Sequence, residues 1–125
     1  MTTARTFTVD EARALLAELL PRIEKFVARR AALTAAAAAQ REGDASVALA
    51  DLKGMEARLS EFLDGVRAQG VEVKGWAPLL LDFPSERDGR PVLLCWLEGD
   101  RALEWFHDAD HGFAGRRPLQ APDAD

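Results

Sequence analysis

Residues 79–97 read LLLDFPSERDGRPVLLCWL, and the class of the protein turns on this stretch. Two short apolar runs flank Asp88-Gly89, a dipeptide that enters positive φ at little cost and so closes tight hairpins. Strands are predicted at Leu79–Phe83 and Val92–Leu97, with a third at Ala102–His107 beyond a turn at Gly99-Asp100. In the middle strand Val92, Leu94 and Trp96 point to one face, and Leu93, Cys95 and Leu97 to the other. Both faces are apolar, so both need cover. Pro84 cannot donate to a ladder and is expected to end the first strand. Asp82 then either leaves the strand as a turn acid just ahead of Pro84 or projects into a pocket as an acid/base or ligand group.

Ahead of residue 71 the apolar period lengthens. Thr8-Val9-Asp10-Glu11 reads as a capping box, so a helix starts near Val9. Ala12, Leu16, Leu19, Ile23, Phe26 and Leu33 then recur at steps of four and three, broken only by Arg30. Pro21 removes one helical hydrogen bond and predicts a kink. The run Ala35–Ala39 continues the helix as a slim, exposed end before Gly43-Asp44 stops it. Ser46 is expected to cap a second helix, with a stripe of Leu49, Leu52, Met55, Leu59, Phe62 and Val66 and an end at Gln69-Gly70. Two such helices of about 25–33 residues each, joined by a short polar link, pack antiparallel. The expected fold is α+β in a single domain over residues 1–125. A long antiparallel α-helical hairpin spans 8–70, a three-stranded antiparallel β-meander with an irregular tail spans 71–119, and 120–125 are expected to be disordered.

The 125 residues suffice for one core without staples. Cys95 is the only cysteine, so no intramolecular disulfide is available. The N-terminal stretch lacks the apolar centre of a signal peptide, and the expected location is cytoplasmic. No apolar run approaches the roughly 20 residues that span a bilayer. Residues 1–70 carry 10 basic and 10 acidic side chains and residues 71–125 carry 6 and 11, so the net charge of −5 resides in the C-terminal part. That balance repels phosphate backbones, and no direct nucleic-acid contact is expected. The apolar faces of the middle strand point to a homodimer, unless the tail Gly112–Leu119 folds back to cover the second face, and the helical hairpin offers a surface for a protein partner.

Chemistry-bearing residues gather late in the chain. His107 and His111 stand four apart among Glu98, Asp100, Glu104, Asp108 and Asp110, and imidazole with carboxylate suits a divalent metal such as zinc or manganese. His107, Asp110 and His111 are the candidate ligands, with Asp82 or Glu104 as general base. The bland reading places the His107 ring against its strand neighbours and uses Asp108 and Asp110 to shape the turn. A calcium loop starting at Asp108 fails, because its fifth and twelfth positions are Gly112 and Leu119. Cys95, set among apolar neighbours, reads as an unreactive core thiol. In Gly112-Phe-Ala-Gly-Arg-Arg-Pro-Leu119 the residue Arg116 either holds an anion or pairs with an acid of the C-terminal part.

The order FTVDEARALLAELLP, GVEVKG, LDFP, DGRPVLLCW, EGD, WFH and GFAGRRPL resembles the small prokaryotic domain-of-unknown-function family DUF2203 over most of residues 7–119. The second half carries the specific part of the likeness. The chain departs from the family pattern in having Leu79-Leu80-Leu81 ahead of Asp82-Phe83-Pro84, with its nearest glycine at Gly75. The resemblance implies the boundaries and the class, and it directs attention to Asp82, Arg90, Cys95, His107 and Arg116 without supplying a mechanism. Arg90 and Arg116 are the candidate ligand-binding residues. Two functions are carried forward. One is an interaction or small-ligand-binding protein with its specific site on the β module. The other is a metal-dependent hydrolytic enzyme.

Overall fold

The computed structural model describes residues 5–120. Asp88 and Gly89 adopt φ of 54° and 77° and close the predicted hairpin between β2, Leu79–Arg87, and β3, Arg90–Leu97. Their register runs from Arg87 opposite Arg90 to Leu80 opposite Leu97. Around this hairpin the sheet has five antiparallel strands, not three. β1, Glu72–Trp76, pairs with β2; β4, Trp105–Asp108, pairs with β3; and β5, Arg117–Pro118, pairs with β4, so sheet order equals chain order.

Pro84 does not end β2. Its carbonyl accepts from the Phe7 amide at 2.7 Å, on the edge of β2 away from β3. In an antiparallel ladder the N–H and C=O of one residue point to the same side, so the donor missing at Pro84 falls where β1, paired only as far as Asp82, has already ended. Asp82 therefore sits inside a strand rather than in a turn. The third predicted strand also shifts. Over 102–104 the backbone turns to other partners: the Leu103 carbonyl accepts from Arg13 Nε at 3.2 Å and the Glu104 carbonyl from the Leu119 amide at 2.8 Å.

Strand alternation gives the sheet two unlike faces. The inner face carries Leu79, Leu81, Phe83, Val92, Leu94, Trp96 and Phe106, all buried. Phe7 meets Phe83 edge-on at 5.4 Å between centroids, and Ser85 Oγ donates to the Phe7 carbonyl, which pins the N-terminal segment to β2. The outer face carries Asp82, Leu93, Cys95, Trp105 and His107. A 3-10 turn, Phe113–Gly115, and the Arg116 side chain lie on this side, with Arg116 stacked over Trp105 at 4.5 Å. Leu93 and Cys95 are buried by the chain alone, so their cover does not call for a second copy.

Helix α1, Val9–Arg41, opens with the predicted capping box: the Thr8 amide donates to Glu11 Oε1 at 2.8 Å and the Glu11 amide to Thr8 Oγ1 at 3.0 Å. It continues through Pro21 for 33 residues. Helix α2, Leu49–Ala68, has 20 residues and is shorter than expected. Ser46 does not cap it. Both the amide and the hydroxyl of Ser46 turn to Asp44 Oδ1, at 2.9 and 2.6 Å, and Asp51 Oδ2 accepts from the Ala48 amide instead.

The chain divides into two compact units: residues up to 17 join those from 66 onward, and Glu18–Gly65 form the other. Within the helical unit Ile23, Phe26 and Leu59 are buried, and Phe26 meets Phe62 at 5.1 Å. Burial fades toward the link, where Leu49 is exposed. The disorder expected over 120–125 concerns residues that, apart from Gln120, lie outside those described. No helix among the described residues is long and apolar enough to cross a membrane.

Candidate functional site

Hairpin register builds the site. The turn that pairs Arg87 with Arg90 also sets Asp82 opposite Cys95, and pairing of β3 with β4 sets His107 opposite Leu93. Three chemically active side chains thus share the outer face on three adjacent strands. All three are buried, with Asp82 1%, Cys95 0% and His107 3% exposed. One potential ligand atom from each lies within 4.8 Å of the other two.

The polar geometry of this trio is unbalanced. His107 Nδ1 lies 3.0 Å from the Asp108 carbonyl, an acceptor only, so Nδ1 carries the hydrogen and donates it. A neutral ring then turns the lone pair of Nε2 toward Asp82 Oδ2, which is 3.2 Å away. Two acceptors face each other, and the contact holds only with a proton or a cation between them. The other carboxylate oxygen, Asp82 Oδ1, has no hydrogen-bond partner among the described residues. The thiol of Cys95, a weak donor, leans toward the carboxylate, and the Lys74 ammonium acts on it electrostatically.

Burial raises the Asp82 carboxyl above the usual aspartate value, against the opposing pull of His107. Burial likewise pushes the Cys95 thiol up to about 11, although Arg116 Nη1 approaches its Sγ at 3.8 Å. In this state Cys95 is a thiol and a poor nucleophile.

Asp82 and His107 lie at the floor of a depression of about 310 Å³, whose rim includes Lys74, Asp110, His111 and Phe113. Lys74 is held by Glu72 at 3.0 Å. Asp110 and His111 are exposed, and His111 Nδ1 lies 3.6 Å from Asp108. His107 thus comes together with Asp82 and Cys95, while Asp110 and His111 stay on the rim. Glu104 is exposed and lines a different depression with Arg13, Pro118, Leu119 and Gln120. Arg90 is exposed at the start of β3, beside the hairpin turn.

Arg116 is half-buried and pairs with an acid. Its guanidinium binds Asp100 through two hydrogen bonds, at 3.0 and 3.2 Å, and stacks on Trp105 and Phe113. Asp100 also accepts from the Leu97 amide at 2.9 Å, which fixes the turn at Gly99 where φ is 103°. Pairing of Arg116 with an acid was one of its two sequence readings, and Asp100 is that acid.

Cys95, an unreactive core thiol by its apolar neighbours, joins the trio through the hairpin register. The signal for it was the turn: a two-residue hairpin loop at Asp88-Gly89 makes every pair across β2 and β3 sum to 177, and 82 plus 95 does so. In the helical unit a groove of about 450 Å³ is lined by Arg22, Lys25, Arg29 and Arg58 with Glu61 and apolar side chains, a cationic surface masked by the even charge balance of residues 1–70.

No curated protein and no solved structure matches the chain. Residues 5–119 match the family described as uncharacterized conserved protein DUF2203, and since that match covers nearly the whole sequence, the chain belongs to this family.

Proposed function

We propose that the protein binds a small cationic or hydrogen-bond-donating ligand in the depression on the outer face of the sheet. One observation carries this reading: Asp82, buried to 1% exposure at the floor of the depression, keeps Oδ1 without a hydrogen-bond partner among the described residues, while Oδ2 has His107 Nε2 at 3.2 Å. Taking a carboxylate out of water is costly, His107, Cys95 and Lys74 only partly offset that cost at Asp82, and a ligand that supplies positive charge or N–H groups offsets more of it. An anion does not, since it would meet Asp82 at the floor.

Thermal unfolding in the presence of a panel of small solutes tests the reading. Amines, guanidine and divalent cations are expected to raise the melting temperature of the chelator-treated protein, and matched anions such as acetate, sulfate and phosphate are not. The stabilisation is expected to vanish in Asp82→Asn. Stabilisation by anions alone, or by cations equally in Asp82→Asn, overturns it.

A further inference from the structure

If the floor of the depression takes a cation, as proposed above, its donor set specifies which kind. We propose that Asp82, Cys95 and His107 form a binding site for a divalent transition metal of the zinc class, with a fourth coordination position open to the depression.

Spacing supports this first. Nitrogen and oxygen ligands on a tetrahedral zinc-type ion at about 2.0–2.1 Å stand about 3.3 Å apart, and a thiolate at about 2.3 Å stands about 3.6 Å from either. Asp82 Oδ2 and His107 Nε2 are 3.2 Å apart, and all three ligand atoms lie within 4.8 Å of one another. Closing the trio on an ion needs side-chain shifts of an ångström or so at Cys95 and a small rotation of Asp82 or His107, whose separation already suits it.

Orientation supports it independently. The hydrogen bond from His107 Nδ1 to the Asp108 carbonyl is the outer contact that metal-bound histidines use to fix their tautomer, and it leaves Nε2 with a lone pair directed inward. Asp82 Oδ1, buried and unpartnered, supplies a second oxygen. An ion placed here resolves the acceptor-to-acceptor contact without any proton.

Chemistry selects the metal. One sulfur, one imidazole and one carboxylate suit zinc, cobalt or iron(II), whereas magnesium and calcium take oxygen ligands. On binding, the S–H bond of Cys95 breaks, its electron pair goes to the metal and its proton leaves to solvent. Any proton shared by Asp82 and His107 leaves as well. One carboxylate and one thiolate then balance the two charges of the ion, so the buried assembly is neutral. Three protein ligands leave a position for water or a small ligand entering between Lys74, His111 and Phe113.

The test uses the chelator-treated full chain titrated with Co²⁺ and then Zn²⁺. One equivalent is expected to bind, with a thiolate-to-cobalt charge-transfer band in the near ultraviolet and intense visible bands of a tetrahedral ion. X-ray absorption of the zinc form is expected to show one sulfur among nitrogen and oxygen neighbours. Cys95→Ser is expected to lose the charge-transfer band, and His107→Gln to bind at least about tenfold more weakly. Should either variant fail to fold by circular dichroism, the wild-type absorption spectrum still decides, because it counts the sulfur. Absence of stoichiometric binding, or a first shell without sulfur, overturns the proposal. If metals fail while amines still stabilise through Asp82, only the metal inference falls; if neither binds, both fall.

Discussion

The two faces of the β2–β3 hairpin are buried to nearly the same degree and are made of different chemistry. On the inner face Leu81, Phe83, Val92 and Leu94 fill space against Phe7 and one another, and the polar atoms of Ser85 and Trp96 there both find acceptors, the carbonyls of Phe7 and Asp100. On the outer face the same two strands bury Asp82 and Cys95, and β4 adds His107. An apolar trio there would avoid the desolvation of a carboxylate. Burial alone thus does not separate core from site; what separates them is whether each buried atom has a partner.

The comparison breaks most visibly at Phe83. Phe83→Ala is expected to lose about 3–5 kcal/mol of stability in urea unfolding, the usual cost of a cavity at a fully packed aromatic. A loss under 1 kcal/mol would show that the inner face is not the core. Next in size is the reactivity of Cys95. With its thiol pushed up to about 11 from an ordinary 9.0, iodoacetamide at neutral pH is expected to modify the metal-free native protein about a hundredfold more slowly than the unfolded chain. Rapid native alkylation would mean that the outer face is open.

Arg116→Ala ranks third. It removes two charge-assisted hydrogen bonds from Asp100 and part of the cover over Trp105, at an expected cost of about 1.5–3 kcal/mol. Although the guanidinium lowers the Cys95 thiol, the loss of its cover at 3.8 Å from Sγ is expected to dominate, and alkylation of Cys95 to accelerate in the same variant. Unchanged alkylation would assign the protection of the thiol to some other group.

The smallest effect is expected at Asp82. Because the folded state holds the Asp82 proton more tightly than the unfolded chain, this group favours folding fully below the ordinary aspartate value. That contribution is lost as pH rises through its higher folded value. Glu11 and Asp44, whose carboxyls are lowered by hydrogen bonds to Thr8 and Ser46, act in the opposite sense. The difference between wild type and Asp82→Asn cancels them. In metal-free protein the variant is expected to lie within about 1 kcal/mol of wild type at neutral pH, since its amide donates to His107 Nε2. Relative to wild type it is expected to become less stable as pH falls. A loss of several kcal/mol at neutral pH would make the Asp82–His107 contact an ordinary structural ion pair.

What the sequence revealed tracks how local the signal is. The capping box at Thr8, the stripe from Ala12 to Phe26, the Asp88-Gly89 turn and the two-faced middle strand rest on neighbours a few residues apart, and each appears in the structure. β1 and β5 do not announce themselves. β1 is a five-residue edge strand with no fully buried side chain, and β5 has two residues, too few for any period. Pro84 misled because its effect depends on which edge of β2 is paired, a tertiary fact. In the site, His107 and Asp82 were singled out, but their meeting depends on where β4 begins. That point is fixed by partners of Leu103 and Glu104 drawn from both ends of the described chain, Arg13 and Leu119.

The contact between Phe7 and Pro84 sets an order of events during synthesis. The unit that contains the sheet is discontinuous, with Glu18–Gly65 interposed between its two parts. Phe7 emerges from the ribosome long before the strand that receives its amide and its ring. The early segment therefore waits, with an unburied aromatic, until more than 70 further residues have been made. Closure of this unit is long-range by construction, whereas the helical unit is complete as soon as Gly65 has emerged.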